Sequence, residues 1–404
     1  MSVLSTLRFA LCCSLSLSIP VAVSATTEAE SVQSFGITTQ SSSSQRALTP
    51  APTLGALPSD PSRPITVAFL MPEDNSPVIA ANKIVLNGLT AAAMFKPNIR
   101  LLLIETGRAH TLAQQLQAAV FAGADVVVGP LQRDRVDELL QLPYLPLPVL
   151  TLNTPSQSPT ETPAHLLSMS LSTEMEASYV GNLVANEFYE LHYPDARVLI
   201  LRDAGKTDYR ITEGFEAALQ ARHVPYQIEP VDLSSINSIK RLFNTANAEK
   251  QFPLALVAMG STDASLVLNR LPRGTQAWGI SVLNPGDPDT NPTASSLVYD
   301  LNNAIFVDSP LVVKYDKDSF EAKFATPQPY SLTAKRLFAL GFDALLSAEH
   351  WAHQNNQFSF SGEAGDWTLN RELSYIVERK PLSILIQDGS LQPLTLESGV
   401  KKAN

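Results

Sequence analysis

Residues that follow predicted strands are the ones whose types and spacing could bind a ligand. They are Asn75, Ser76, Gly129, Pro130, Leu131, Asn153 and Thr154 in the first half of the chain, and Asp203, Tyr209, Ser261 and Asp263 in the second. Ligands of open α/β sheets bind beyond the carboxyl ends of the strands, so these positions predict a small-molecule cleft. The same residue types are preferred in turns and at helix N-termini, and that interpretation needs no ligand.

Four common catalytic and cofactor-binding motifs are absent from the sequence. It contains no Gly-x-Ser-x-Gly nucleophile elbow, no Walker loop, no Gly-x-Gly-x-x-Gly fingerprint and no His-Glu-x-x-His. Only His350 and His353 form a histidine pair at helical spacing. They could hold a metal, but histidines near a helix C-terminus also interact favourably with the helix dipole. We therefore expect a protein that is not an enzyme and that has neither a metal nor a cofactor.

Composition limits the class of partner. The 404 residues are 45% hydrophobic and 17% charged, with a formal net charge of −10. Such a chain can bury a large core and make two globular units. An acidic protein lacks the clustered Lys and Arg that bind nucleic acid or an anionic membrane. A protein or a small molecule is the expected partner, and no stretch after the first 25 residues is long and apolar enough to predict a transmembrane segment.

The pattern of the first 62 residues predicts that the protein is exported. Arg8, an apolar stretch and Val23-Ser24-Ala25 have the pattern of a signal peptide over residues 1–25, which indicates a periplasmic protein. Cys12 and Cys13 lie within it without the leucine and small residues of a lipobox, so ordinary cleavage is expected rather than outer-membrane lipid anchoring, although lipidation of either cysteine stays open. Residues 26–62 are rich in Ser, Thr and Pro and predict a disordered linker.

Strand and helix patterns alternate from residue 63 onward, which predicts parallel sheets covered on both faces. The fold class is α/β, with two doubly wound Rossmann-like lobes and a cleft between them. We assign about 63–168 and 283–355 to the first lobe, about 169–282 and 356–396 to the second, and 397–404 to a tail. Residues 359–394 predict a short antiparallel meander.

Four passages resemble the type I periplasmic binding proteins and, within them, the LppC or LpoA-like penicillin-binding-protein activators. They are Ile65 to Pro72, Val126 to Leu131, Pro148 to Asn153, and the segment that begins at Phe360. The resemblance spans about residues 63–396. The best-known activator is a lipoprotein with a helical-repeat domain ahead of the binding-protein-like domain, and here only the second, C-terminal domain is matched.

The resemblance implies a non-catalytic envelope protein that binds a class A penicillin-binding protein and regulates peptidoglycan synthesis. The alternative is a periplasmic receptor for an amino acid or similar solute. Amino-acid binders of this fold hold the ligand carboxylate with Ser and Thr hydroxyls and its ammonium with an acidic residue, and Ser76, Thr154 and Asp263 match those types. A receptor needs convergent polar groups in an open cleft, whereas the cleft of an activator can be filled.

Overall fold

The computed structural model describes residues 63–72, 78–105, 111–157, 159, 163–203, 209–233, 248–289, 291–313, 331–397 and 400–403. The predicted signal peptide and linker lie outside these residues, as do Asn75 and Ser76. Helices predicted at 236–248 and 318–324 also fall on residues outside the described ranges, apart from residue 248.

The first lobe is built on a five-stranded sheet in which every pairing is parallel, in the order β2-β1-β3-β4-β5. Its strands are β1 Ile65–Met71, β2 Ile99–Glu105, β3 Val126–Val128, β4 Val149–Thr151 and β5 Leu166–Ser168. The helices between them are α1 Ile79–Met94, α2 Leu112–Phe121 and α3 Arg133–Leu140. Core clusters cover both faces of the sheet, which explains why its central strands are continuous apolar runs.

The second lobe is built on an eight-stranded sheet in the order β16-β15-β14-β10-β9-β8-β6-β7. Its parallel strands are β6 Val198–Asp203, β7 Tyr226–Val231, β8 Leu254–Ala258, β9 Gln276–Gly279 and β10 Ile305–Asp308, and its antiparallel ones are β14 Leu382–Gln387, β15 Ser390–Glu397 and β16 Val400–Ala403. Its helices are α4 Thr173–Leu191, α5 Tyr209–Ala221, α6 Ala248–Gln251, α7 Ser261–Leu268 and α8 Pro292–Asp300, with a 3₁₀ turn at Ser281–Leu283. Two further core clusters pack on this sheet.

The C-terminal part of the chain returns to the first lobe before it joins the second. A short helix α9 Pro310–Val313 leads towards the long helix α10 Leu332–Ala352, which packs along α1. A three-stranded antiparallel sheet follows, with strands β11 Gln357–Ser361, β12 Asp366–Asn370 and β13 Glu378–Lys380. Trp367 and Leu369 of this sheet enter the same core cluster as Val67 and Phe69, so the sheet belongs to the first lobe.

The exchange of segments between the lobes differs from the predicted one. Strand β10 was expected in the first lobe, but Ile305 pairs with Trp278 and Leu385 in the second sheet, where it is buried. Residues 357–380 were expected in the second lobe and pack on the first. The predicted meander is thus divided between two sheets, and the predicted tail contains β16, which pairs with β15.

Helix starts are fixed by local hydrogen bonds that the residue types allow. The Thr111 side chain accepts from the backbone N–H of Gln114, whose own side chain accepts from the Thr111 backbone, a reciprocal capping box at α2. Ser172 and Ser331 are the N-cap residues of α4 and α10, and each side chain accepts from the backbone N–H three residues later. The cap of α4 is important for the site, because it places Thr173 and Glu174 beside the cleft.

Candidate binding cleft between the lobes

A cleft of about 570 Å³ lies between the two lobes. Its wall is made by residues after β3 and β4, by the segment that enters α4, and by one residue of α5 and two of α10. The lining residues are Leu131, Arg133, Leu152, Asn153, Ser170, Leu171, Ser172, Thr173, Arg210, Leu337 and Leu340. Leucines supply the apolar surface, while the two arginines bring positive charge from both lobes. The lining thus combines apolar side chains with positive charge from both lobes.

The first-lobe wall is shaped by two strand ends. The Gly129–Pro130 peptide bond is cis, and Gly129 has a φ of 106°, a value that favours glycine. The Asn153 side chain donates from Nδ2 to the carbonyl of Leu131 at 3.2 Å, and its Oδ1 accepts from the backbone N–H of Thr154 at 3.0 Å. Asn153 therefore ties the two strand ends together, as a turn-forming residue does.

The second-lobe wall is organised around the carboxylate of Glu174. Arg210 donates to it from Nε at 2.5 Å and from Nη2 at 2.8 Å, and the Ser172 hydroxyl donates at 2.6 Å. Arg133 of the first lobe lies 3.7 Å from the same carboxylate. Burial raises the pKa of Glu174, but the hydrogen bonds from Arg210 and Ser172 outweigh it and lower the pKa to about 2. Glu174 is thus a carboxylate at neutral pH, hydrogen-bonded to Arg210 and within ion-pair distance of Arg133.

Two further arginine–carboxylate pairs join the lobes where the chain crosses between them. Arg379 on β13 contacts Glu176 on α4 at 2.7 Å, and both side chains are almost completely buried. Arg336 on α10 donates from Nε and Nη2 to the carboxylate of Asp308 on β10, at 2.7 and 2.6 Å. These pairs connect elements that belong to different lobes, and both of their carboxylates are buried, so each carboxylate depends on an arginine of the other lobe for its counter-charge.

The structure brings only part of the predicted site together. Leu131 and Asn153 line the cleft, and Gly129, Pro130 and Thr154 are their neighbours in the chain. The other predicted residues are not among those that line this cleft: Asp203 is buried at the end of β6, Tyr209 lies under the guanidinium of Arg202 at 5.1 Å, and Ser261 and Asp263 occupy the first turn of α7. Any ligand role of these residues stays a prediction.

Sequence reasoning missed the charged residues of the cleft. Arg133, Glu174 and Arg210 stand in the first turns of α3, α4 and α5, where charged residues usually face solvent. Nothing in the sequence indicates that Glu174 contacts Arg210, 36 positions later, or Arg133, 41 positions earlier. One signal was available: Arg133 follows the third predicted strand closely, so it lies at the same sheet edge as Leu131 and Asn153.

Within the described residues no group of three or more His, Cys, Asp or Glu side chains is arranged to hold a metal ion. His350 stacks on Phe358, with ring centroids 4.8 Å apart, and its Nδ1 lies 3.3 Å from the side-chain nitrogen of Asn355. Burial lowers the pKa of His350. The imidazole is thus part of an aromatic stack on the first lobe.

Among the described helices, none combines the length and the apolar character that crossing a membrane requires.

The fold is that of the type I periplasmic binding proteins, as the sequence predicted. A "putative branched-chain amino acid ABC transporter" from Chromobacterium violaceum superposes with a TM-score of 0.64 at 23% identity, covering 79% of this chain and 99% of that one. The C-domain of LpoA from Haemophilus influenzae, described as a regulator of PBP1A, superposes with a TM-score of 0.65 at 19% identity, covering 82% of this chain and 100% of that domain.

The resemblance to the LppC and LpoA proteins is also confirmed. The model of the family described as "LppC putative lipoprotein" matches residues 47–220. The penicillin-binding protein activator LpoA of Klebsiella pneumoniae is 25% identical over 345 residues, which are 75% of this chain and 46% of that protein. The chain therefore spans about half the length of the curated relative that it matches.

Proposed function

We propose that this chain is an exported, non-catalytic protein of the cell envelope that binds a class A penicillin-binding protein and thereby regulates peptidoglycan synthesis. One observation carries the proposal: the chain covers the whole of a domain whose described role is to regulate PBP1A. The match to the LppC family and the similarity to a penicillin-binding protein activator support it independently of the fold.

The cleft supports an activator over a solute receptor. A receptor needs polar groups that point into open space and wait for a ligand. Here the Glu174 carboxylate already accepts hydrogen bonds from Arg210 and Ser172, and Asn153 bonds to the backbone on both sides. Binding to the class A penicillin-binding protein, the synthase, then needs no small molecule. The whole activity of this chain is to bind the synthase and change its rate of synthesis.

Binding and synthesis measured together test the proposal. Biolayer interferometry of the full chain against a purified, detergent-solubilised class A penicillin-binding protein gives the affinity, and the rates of glycan polymerisation and peptide cross-linking give the effect. We expect saturable binding and a changed rate at the same protein concentrations. A class B penicillin-binding protein is the matched control for specificity.

A second measurement separates the alternative. A ligand that binds only the folded state raises the unfolding temperature, so a panel of amino acids in a thermal unfolding assay detects a receptor. We expect no shift with any of them. A shift with one amino acid, together with no binding to the synthase, would reject the activator proposal in favour of a solute receptor.

A further inference from the structure

The cleft arginines are charged groups from different lobes that share one internal carboxylate. Arg133 belongs to α3 of the first lobe and Arg210 to α5 of the second, while Glu174 lies in the first turn of α4. The distances from Glu174 Oε1 are 3.7 Å to Arg133 Nη1 and 2.5 Å to Arg210 Nε. The Glu174 carboxylate thus lies between one guanidinium group of each lobe.

Arg133 is the movable member of this set. In the described part of the chain its guanidinium makes the 3.7 Å ion pair with Glu174 but no hydrogen bond, whereas Arg210 holds the same carboxylate with two. The side chains of Arg133 and Glu174 are 31% and 30% exposed. A partly exposed pair of this length is weaker than the buried Arg379–Glu176 pair, so Arg133 can separate from Glu174.

We propose that Glu174 is an internal clasp that holds the cleft closed without a ligand. In a binding protein with this architecture, a ligand bridges the two lobes and closes them. In this chain the Glu174 carboxylate is the bridging anion, presented by the second lobe through Arg210 and Ser172 to Arg133 of the first lobe. The clasp does not depend on the proposed partner, because every atom in it belongs to this chain.

The distance between the lobes tests the clasp directly. Spin labels attached to cysteines at Gln117 on α2 and Ala217 on α5, which are exposed positions in different lobes, report that distance by double electron–electron resonance. Cys12 and Cys13 are replaced by serine in the full chain so that only these sites are labelled. With Glu174 and Arg133 intact and no ligand added, we expect one narrow distribution of distances between the two labels.

Removal of the clasp has a defined consequence. Glu174→Ala and Arg133→Gln are each expected to broaden the distribution and move it to a different mean. Arg135→Gln is the matched control, because Arg135 lies on the same helix but pairs with Glu138 and Gln115, both within the first lobe. The control is expected to leave the distribution unchanged. Circular dichroism confirms that each variant is folded, and Glu174→Gln, which keeps the side-chain shape, replaces Glu174→Ala if that variant does not fold.

Chemical rescue distinguishes a clasp from a merely structural side chain. Acetate can take the place of the missing carboxylate between Arg133 and Arg210 and is expected to restore the narrow distribution of Glu174→Ala, whereas acetamide is expected to have no effect. A broad distribution in the unmodified chain, an unchanged one in both Glu174→Ala and Arg133→Gln, or equal effects of acetate and acetamide would overturn the proposal.

Discussion

Arg379 and Glu176 form an ion pair between the two lobes, with Nη1 and Oε1 2.7 Å apart and only 3% and 4% of the side chains exposed. The other polar atoms of the pair are also satisfied. Arg379 donates from Nε to the carbonyl of Ala364 and from Nη2 to the Ser309 hydroxyl, and Glu176 accepts from the backbone N–H of Ser281. Two charges can be buried without a large loss of folding free energy when their polar atoms all have hydrogen-bond partners.

Removal of one charge from this pair is expected to destabilise the protein strongly. Glu176→Gln leaves the Arg379 guanidinium buried without a counter-charge, and such a change costs about 3–5 kcal/mol. Urea unfolding followed by circular dichroism measures the loss. Lys96→Met is the control, because the Lys96–Glu349 pair is 37% and 26% exposed and is worth less than about 1 kcal/mol. Equal losses in the two variants would contradict the role assigned to burial.

Asp343 gives the protein a specific dependence on pH. Its buried carboxylate accepts from the Trp367 indole N–H at 2.7 Å and from the backbone N–H groups of Ala364 and Glu363 at 2.7 and 2.8 Å. Burial raises the pKa of Asp343, and although the three donors oppose this, the pKa reaches about 7 against an ordinary value of 3.8. Between pH 3.8 and about 7 the Asp343 side chain is therefore protonated in the folded protein and ionised in the unfolded chain.

The stability that this proton supplies is fully present below pH 3.8 and is lost as the pH rises towards 7, by at most about 1.4 kcal/mol per pH unit. Urea unfolding at pH 5, 6, 7 and 8 measures the slope. Asp343→Asn is expected to remove that part of the slope, whereas Asp134→Asn, a change in the first turn of α3, is expected to keep it. The same slope in wild type and Asp343→Asn would show that Asp343 does not titrate in this range.

The sequence predicted the fold well because the signal for buried parallel strands is local. Runs such as Val126–Val128 and Leu254–Ala258 are apolar at every position, and in the structure every one of these residues is buried between covering helices. The lobe assignment of β10 failed because which sheet a strand joins depends on its partners, here β9 and β14, and not on its own residues.

The candidate site was predicted only in part for the same reason. Leu131 and Asn153 were found because strand ends share an edge of the sheet. Arg133, Glu174 and Arg210 were missed because each looks like a solvent-exposed residue of a helix start, and only the folded chain brings residues from α3, α4 and α5 to one carboxylate. Contacts between lobes depend on the three crossings of the chain, which no local pattern encodes.

Glu174 is expected to stabilise the fold with the opposite pH dependence from Asp343. Burial raises the pKa of Glu174, but the Arg210 and Ser172 bonds lower it to about 2, below the ordinary 4.5. The stability it supplies is present above pH 4.5 and is lost as the pH falls towards 2. Because the pair is partly exposed to solvent, the size is about 1 kcal/mol.

The comparison with Glu174→Gln measures this contribution. The difference in unfolding free energy between wild type and the variant is expected to be constant from pH 5 to 8 and to shrink between pH 4.5 and 3. High salt should reduce it at every pH, since half-exposed ion pairs are screened. A difference that grows on acidification would mean that Glu174 is protonated in the folded protein.

The crossing of α1 and α10 depends on two glycines. A Cβ added at Gly88 would lie 2.1 Å from the carbonyl oxygen of Phe338, and one added at Gly341 would lie 2.1 Å from that of Val85. Backbone atoms cannot move aside as a flexible side chain can, so the helices would have to separate along the first-lobe core. Overpacking of this kind costs about 1–3 kcal/mol and more where backbone must shift.

Gly341→Ala is therefore expected to lower the unfolding free energy by about 3 kcal/mol, measured by urea unfolding. Gly260→Ala is the matched control, because Gly260 has a φ of −69° and no atom within 4 Å of the added Cβ, so only the small loss of a helix-capping glycine remains, at about 1 kcal/mol or less. If Gly341→Ala cost no more than Gly260→Ala, the two helices would have room to separate, and the close contact would not be what holds α10 against α1.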